Sequence, residues 1–157
     1  SGGVKRVHPD TGIVTTVFTG IAEGLTFNPT YDLLYILTSD GSNNWQLISL
    51  EIGPDGSPGQ KKQIPGFAQL GIPEGQVVDA CGNIYGVDRV GMLVRIPADG
   101  AVDPEIIFDG DNDFAANLQF GRGLGGWRAD ALYLTRFDIE RVYEIVVGVP
   151  EKPIPTL

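Results

Sequence analysis

The sequence predicts an all-β protein built from several similar four-stranded units, and three observations support this. Three tight-turn glycines recur at intervals of 44 residues, at Gly12, Gly56 and Gly100, and such a period is typical of repeat architectures. No segment of helical length has apolar residues at the three-and-four spacing of a helix, whereas short alternating or fully apolar runs recur throughout. The 22 glycines and 11 prolines among 157 residues supply the turns that many short strands need.

The predicted strands begin as a pair and continue as three larger units. The pair covers 4–8 and 13–18, and its connection contains Pro9 and Gly12. The remaining predicted strands, in chain order, are 24–27, 33–38, 45–52, 60–64, 76–78, 83–87, 93–96, 105–108, 117–120, 131–135 and 142–147. The prolines that follow from Pro150 onward argue against a long final strand.

Each larger unit carries a tyrosine on its second predicted strand: Tyr35, Tyr85 and Tyr133, separated by 50 and 48 residues. Four short antiparallel strands per repeat are typical of a β-propeller blade, and a solenoid would need a shorter period. The sequence therefore predicts about three blades and the outer half of another, which is less than a complete ring. The predicted divisions of this single propeller segment are 1–20 (outer strands of a partial blade), 21–67, 68–110 and 111–157.

Composition limits the possible partners. A formal net charge of −9 repels phosphate backbones and anionic headgroups, which excludes nucleic acid and acidic membrane surfaces as expected partners. No apolar run approaches the roughly 20 residues of a membrane span. Cys81 is the only cysteine, so neither an internal disulfide nor a cysteine zinc cluster can form. The compartment stays open, with a secreted or periplasmic location favoured over a cytoplasmic one.

Unpaired terminal blades would expose broad apolar faces. We therefore expect the chain to pair with the remaining half of a propeller or with a second copy of itself.

Two acidic residues suggest a metal site. Glu23 and Glu74 lie 51 residues apart, about one blade, and each directly precedes a glycine that starts a blade. This spacing predicts that both carboxylates lie at the same end of a central channel, where hard oxygen ligands suit Ca²⁺ or Mg²⁺. Asn117, at the third blade start, could add a carbonyl ligand or a substrate hydrogen bond. The alternative is that the acids are solvated turn residues and that Asn117 caps an Asx turn.

Three other motifs are rejected. Residues 109–113 begin like a helix-loop-helix calcium loop, but Phe114 occupies the position that requires glycine. Residues 121–126 match GxGxxG, yet no helix is predicted after them, which disfavours a dinucleotide site. They are interpreted as an excursion, a loop between the first and second strands of the third unit, with Trp127 packed against the blade. His8 is the only histidine and lies in a predicted turn, which disfavours a Ser-His-Asp triad.

Four stretches carry a resemblance to a known family: Ala22–Pro29, Ile72–Tyr85, Ala116–Gly121 and Arg141–Pro150. They resemble the blade starts and closing strands of the senescence-marker-protein/gluconolactonase family, sugar lactone lactonases with six-bladed propellers. The resemblance spans nearly the whole chain and aligns it with the C-terminal half of a family member. The N-terminal half, with the family's first metal-binding glutamate, lies outside this sequence.

The resemblance implies a hydrolase that opens a lactone or ester with a divalent cation, Ca²⁺ or alternatively Mg²⁺, Mn²⁺ or Zn²⁺. It places Glu74 where the family has an aspartate that is both metal ligand and base, and Glu23 where the family has an asparagine. Glu23, Glu74 and Asn117 are then the expected metal ligands, and Glu74 the expected catalytic residue. The alternative function is a non-catalytic propeller scaffold that binds a partner or self-assembles without metal chemistry.

Overall fold

The computed structural model describes residues 2–42, 44–65, 67, 71–98, 103–110, 115–137 and 140–154. Within these ranges the secondary structure consists of strands, turns and short irregular segments, with no α-helix. No helix long and apolar enough to cross a membrane occurs in the same ranges. Gly12 and Gly56 adopt positive φ angles of 68° and 77°, as expected of tight turns, whereas Gly100 and residues 111–113 lie outside the described residues.

The described residues form thirteen strands: β1 Gly3–Val7, β2 Val14–Thr19, β3 Ile21–Phe27, β4 Leu33–Ser39, β5 Trp45–Ile52, β6 Pro58–Ile64, β7 Pro73–Val78, β8 Ile84–Asp88, β9 Leu93–Ile96, β10 Glu105–Phe108, β11 Ala115–Phe120, β12 Ala131–Arg136 and β13 Val142–Val146. They assemble into four antiparallel sheets, β1–β2, β3–β6, β7–β10 and β11–β13, each in simple sequential order. This confirms the predicted all-β class.

The sheets stack face to face, because the second strand of each larger sheet is mostly apolar and mostly buried or half-buried. The sheet β3–β6 contributes Tyr35 and Leu37 to a core that it shares with Ile84 of β7–β10. The opposite face of β7–β10 contributes Tyr85 to a second core, where Phe120 of the third sheet meets its ring edge to face. A third core joins the β1–β2 hairpin to the first larger sheet. Every buried core is therefore an interface between two blades.

The first strands of the three larger sheets lie side by side. A Cβ atom added at Gly24 of β3 would lie 3.7 Å from Cγ of Gln76 in β7, and one added at Gly75 would lie 2.8 Å from Oδ1 of Asn117 in β11. Glycine allows this close approach because it lacks a side chain. The sheets therefore fan outward from β3, β7 and β11, which we call the inner strands.

Candidate functional site

Each inner strand carries a β-bulge at the same point near its start. Glu23 is the bulged residue of β3, between Ala22 and Gly24. Glu74 is its equivalent in β7, and Ala116 is the equivalent in β11. A bulge leaves its extra residue outside the ladder and re-aims its side chain, which is why bulges are frequent beside active sites. Glu23, Glu74 and Ala116 define what we call the mouth, the end at which the inner strands begin.

Glu74 is the more enclosed of the two acids. Its side chain is 31% exposed, and its Oε1 lies 3.9 Å from Nε of Arg89, whereas Glu23 is exposed. An ion pair this long between partly exposed groups contributes little to stability. The Glu74 carboxylate therefore remains available to a ligand at the mouth.

Asp88 is a buried carboxylate that the sequence analysis did not single out, and it holds the backbone that precedes Glu74. Asp88 is 1% exposed, lies opposite Pro73 in the β7–β8 register, and accepts three backbone hydrogen bonds. The donors are the N–H groups of Gly71 at 3.1 Å, Val90 at 3.1 Å and Met92 at 2.9 Å. Asp88 therefore fixes the segment that leads into Glu74. The signal in the sequence was the Asp-x-x-Gly turn that ends at Gly91, whose φ is 86°.

Asn117 lies at the same end but not in the equivalent position. In the strand register it corresponds to Gly24 and Gly75, one residue beyond the bulge. Its Oδ1 accepts a hydrogen bond from the N–H of Leu118 at 2.9 Å. The third bulge instead holds Ala116, whose methyl group offers no ligand.

The mouth offers a few oxygen donors. Glu23, Glu74 and Asn117 lie near the start of neighbouring inner strands, and their side-chain oxygens are of the kind that hard divalent cations prefer. No cluster of three or more His, Cys, Asp or Glu side chains occurs among the described residues. The described part of the mouth therefore supplies oxygen donors without a convergent set of three acidic side chains.

The opposite end of β7 is organised by another buried carboxylate. Asp79 is fully buried and accepts hydrogen bonds from the N–H groups of Cys81 and Asn83, both at 2.9 Å. Its Oδ2 accepts from the Asn83 amide at 2.8 Å and from the Tyr85 hydroxyl at 3.0 Å. Burial raises the pKa of Tyr85, and the Asp79 charge adds to this effect. The Asp79–Tyr85 motif is thus a structural turn, and it lies away from the mouth.

The C-terminal segment crosses this same end. The carbonyl oxygen of Pro150 accepts from the N–H of Ala80 at 2.9 Å, and that of Pro153 accepts from the Tyr31 hydroxyl at 2.7 Å. Nζ of Lys152 donates to Oγ1 of Thr26 at 3.1 Å, and burial lowers the pKa of this lysine. The segment therefore ties the third sheet to the ends of β7 and β3.

The glycine-rich stretch is an excursion, as predicted. Residues 121–130 connect β11 directly to β12 without a helix. The Trp127 ring packs edge to face on Tyr133, with centroids 4.5 Å apart. The predicted packing of Trp127 against the sheet is present as this ring contact, although the side chain stays half exposed.

The solved structure of a gluconolactonase from Xanthomonas campestris is similar to this chain, with a TM-score of 0.67 and 21% sequence identity. The chain is a segment of a β-propeller. The alignment covers 85% of the chain but 41% of the gluconolactonase, so the chain spans less than half of that protein's length. At this identity the likeness shows a shared fold. No family model and no curated protein sequence matches the chain.

Proposed function

We propose that the mouth binds a divalent cation, and that a complete propeller containing this chain hydrolyses a lactone or ester there. The observation that carries the proposal is the placement of Glu23 and Glu74 in equivalent bulges of neighbouring inner strands. The shared fold with a gluconolactonase supports the substrate class.

The residues of the mouth have distinct roles in this proposal. Glu23, Glu74 and the Asn117 amide oxygen would hold Ca²⁺, with Mg²⁺, Mn²⁺ or Zn²⁺ as alternatives. A bound ion of this kind polarises a lactone carbonyl and makes a coordinated water more acidic. Glu74 accepts the proton of the attacking water as general base. Asp88 keeps Glu74 in place through the N–H groups that it binds.

Cation binding can be tested on the chain itself. In ¹⁵N-labelled protein we expect Mn²⁺ to broaden the amide signals of Gly24 and Gly75 first, because these residues directly follow the two acids. The double substitution Glu23→Gln, Glu74→Gln should weaken Mn²⁺ binding by at least about tenfold, since both charged ligands are lost. Glu51→Gln is the matched control, because Glu51 is an exposed glutamate on β5. Equal broadening in the double variant would contradict the proposal.

A specific observation favours a second candidate, a scaffold that associates with another copy of itself. Exposed valines occupy both terminal sheets, Val7 and Val14 at one end and Val142 and Val146 at the other. Exposed Lys5 lies on the first of these sheets and exposed Glu144 on the other. These surfaces are complementary in polarity and charge, and a contact between unlike surfaces builds rings or open arrays.

Sedimentation equilibrium tests this second candidate. We expect an average mass that rises with concentration above that of one chain, and weaker association in Lys5→Glu. Combining Lys5→Glu with Glu144→Lys should restore association, because the charges are exchanged. Lys61→Glu, on the exposed strand β6, is the control. A single-chain mass at every concentration would rule out self-assembly.

A further inference from the structure

We propose a second ligand site, between the sheets β3–β6 and β7–β10, that takes a neutral polyhydroxylated ring of monosaccharide size. A cavity of about 370 Å³ lies between these two blades, within the size range of ligand pockets. Its wall includes Tyr35, Ser49 and Lys62, which are directly paired across β4, β5 and β6. Both sheets belong to this chain, so the site does not depend on the proposed function of the mouth.

The Tyr35 hydroxyl is the main evidence for a ligand. Tyr35 is 6% exposed and lines the cavity, yet no described residue exchanges a hydrogen bond with its hydroxyl. The equivalent tyrosines are both partnered. Tyr85 donates to Asp79, and Tyr133 donates to Glu144 while accepting from the N–H of Arg128. The Tyr35 hydroxyl is not among the fully buried side-chain atoms that lack a partner, so it reaches solvent in the cavity and can exchange hydrogen bonds with a ligand there.

A single difference in the turns explains why Tyr35 has no partner. The residue equivalent to Asp79 in the first blade is Asn28, which is also buried. Its Oδ1 accepts from the N–H groups of Asp32 and Leu33, at 3.1 and 3.0 Å. Its Nδ2 is a donor, so it cannot accept from Tyr35 as the Asp79 oxygen accepts from Tyr85. It donates instead to Oγ1 of Thr30 at 2.8 Å and Oδ1 of Asp32 at 2.7 Å. The exchange of carboxylate for amide leaves the Tyr35 hydroxyl available to the cavity.

The walls select a neutral molecule with one apolar face. Lys62 and Glu51 contribute one charge of each sign, so the site has no net charge to attract an ion. The hydroxyls of Tyr35 and Ser49 can both donate and accept, and the only hydrogen bond of the Ser49 hydroxyl among the described residues is a long one of 3.4 Å. Ile84 and Pro97 supply apolar surface to the cavity from the second sheet. Hydroxyl groups along one edge and C–H groups across a face are the features of a sugar ring.

A titration with D-glucose, followed by the amide signals of ¹⁵N-labelled protein, tests the site. We expect glucose to shift the signals of Tyr35, Ser49 and Lys62. Tyr35→Phe should weaken binding about two- to tenfold, because it removes one hydrogen bond and keeps the ring. Ser49→Ala provides a second, independent removal of a hydroxyl and should also weaken binding.

Tyr133→Phe is the matched control, since it makes the same chemical change outside the cavity and should leave glucose affinity unchanged. D-gluconate, which carries a negative charge, should bind more weakly than glucose. The proposal is overturned if glucose shifts none of the three signals, if folded Tyr35→Phe binds as tightly as the unchanged protein, or if gluconate is preferred. Loss of Mn²⁺ binding at the mouth would leave these results unaffected, so the two proposals fail separately.

Discussion

Asp79→Ala is expected to lower the free energy of unfolding by about 3–5 kcal/mol, the cost of removing one member of a buried charged network. The carboxylate is fully buried and accepts four hydrogen bonds from Cys81, Asn83 and Tyr85. Alanine would leave the buried Tyr85 hydroxyl and the partly buried N–H donors of the turn without their acceptor. Urea unfolding followed by tryptophan fluorescence measures the loss.

Two further variants show whether the loss of stability comes from the buried hydrogen bonds of Asp79 or merely from removing a negative charge. Asp79→Asn keeps one acceptor oxygen for the backbone N–H groups but loses the acceptor for Tyr85, so we expect about half the loss. Asp10→Ala removes an exposed carboxylate from the β1–β2 turn and should change stability by no more than about 0.5 kcal/mol. A loss below about 1 kcal/mol in Asp79→Ala would show that the turn forms without its carboxylate.

Gly121→Ala is the second substitution with a large expected effect, a loss of unfolding free energy of about 2–3 kcal/mol, in the upper part of the usual range for overpacking. A Cβ atom at this position would lie 2.1 Å from the carbonyl oxygen of Arg128 and 2.8 Å from Cε2 of Tyr133. The first contact is with backbone, so the excursion over 121–130 must move, and overpacking of this kind is destabilising. The movement should also disturb the packing of Trp127 on Tyr133, which a shift in tryptophan emission would report.

Gly126→Ala is the matched control in the same excursion. Gly126 has a φ of 88°, but a Cβ atom added there meets nothing within 4 Å. Its cost is therefore the conformational penalty alone, about 1–2 kcal/mol. If the two alanine variants were equally stable, the close approach of Arg128 would not be what requires glycine at position 121.

Much of the fold could be predicted because a blade repeats a local pattern. Tyr35, Tyr85 and Tyr133 lie on the second strand of successive sheets, as their spacing predicted. The one-blade separation of Glu23 and Glu74 likewise placed both acids at the same end, in equivalent bulges. Their roles as metal ligands and base stay predictions.

The third blade start shows where sequence spacing fails. The bulges at Glu74 and Ala116 are 42 residues apart, whereas those at Glu23 and Glu74 are 51 apart. Loops of different length change the interval without changing the blade, so the interval could not show which residue of β11 occupies the bulge. The strand register placed Ala116 there and Asn117 one position further on.

The sequence by itself determined the strands, their order and the end of the blades at which the acids lie, because alternation, turns and repeat length are local properties. The tertiary structure alone decided which hydroxyls and carboxylates have partners. Asp88 binds the backbone that precedes Glu74. The Tyr35 side chain lines a cavity, whereas the equivalent Tyr85 hydroxyl donates to Asp79. The physical reason is that a hydrogen bond depends on atoms meeting within about 3 Å, and that separation is fixed by the packing of one blade against the next.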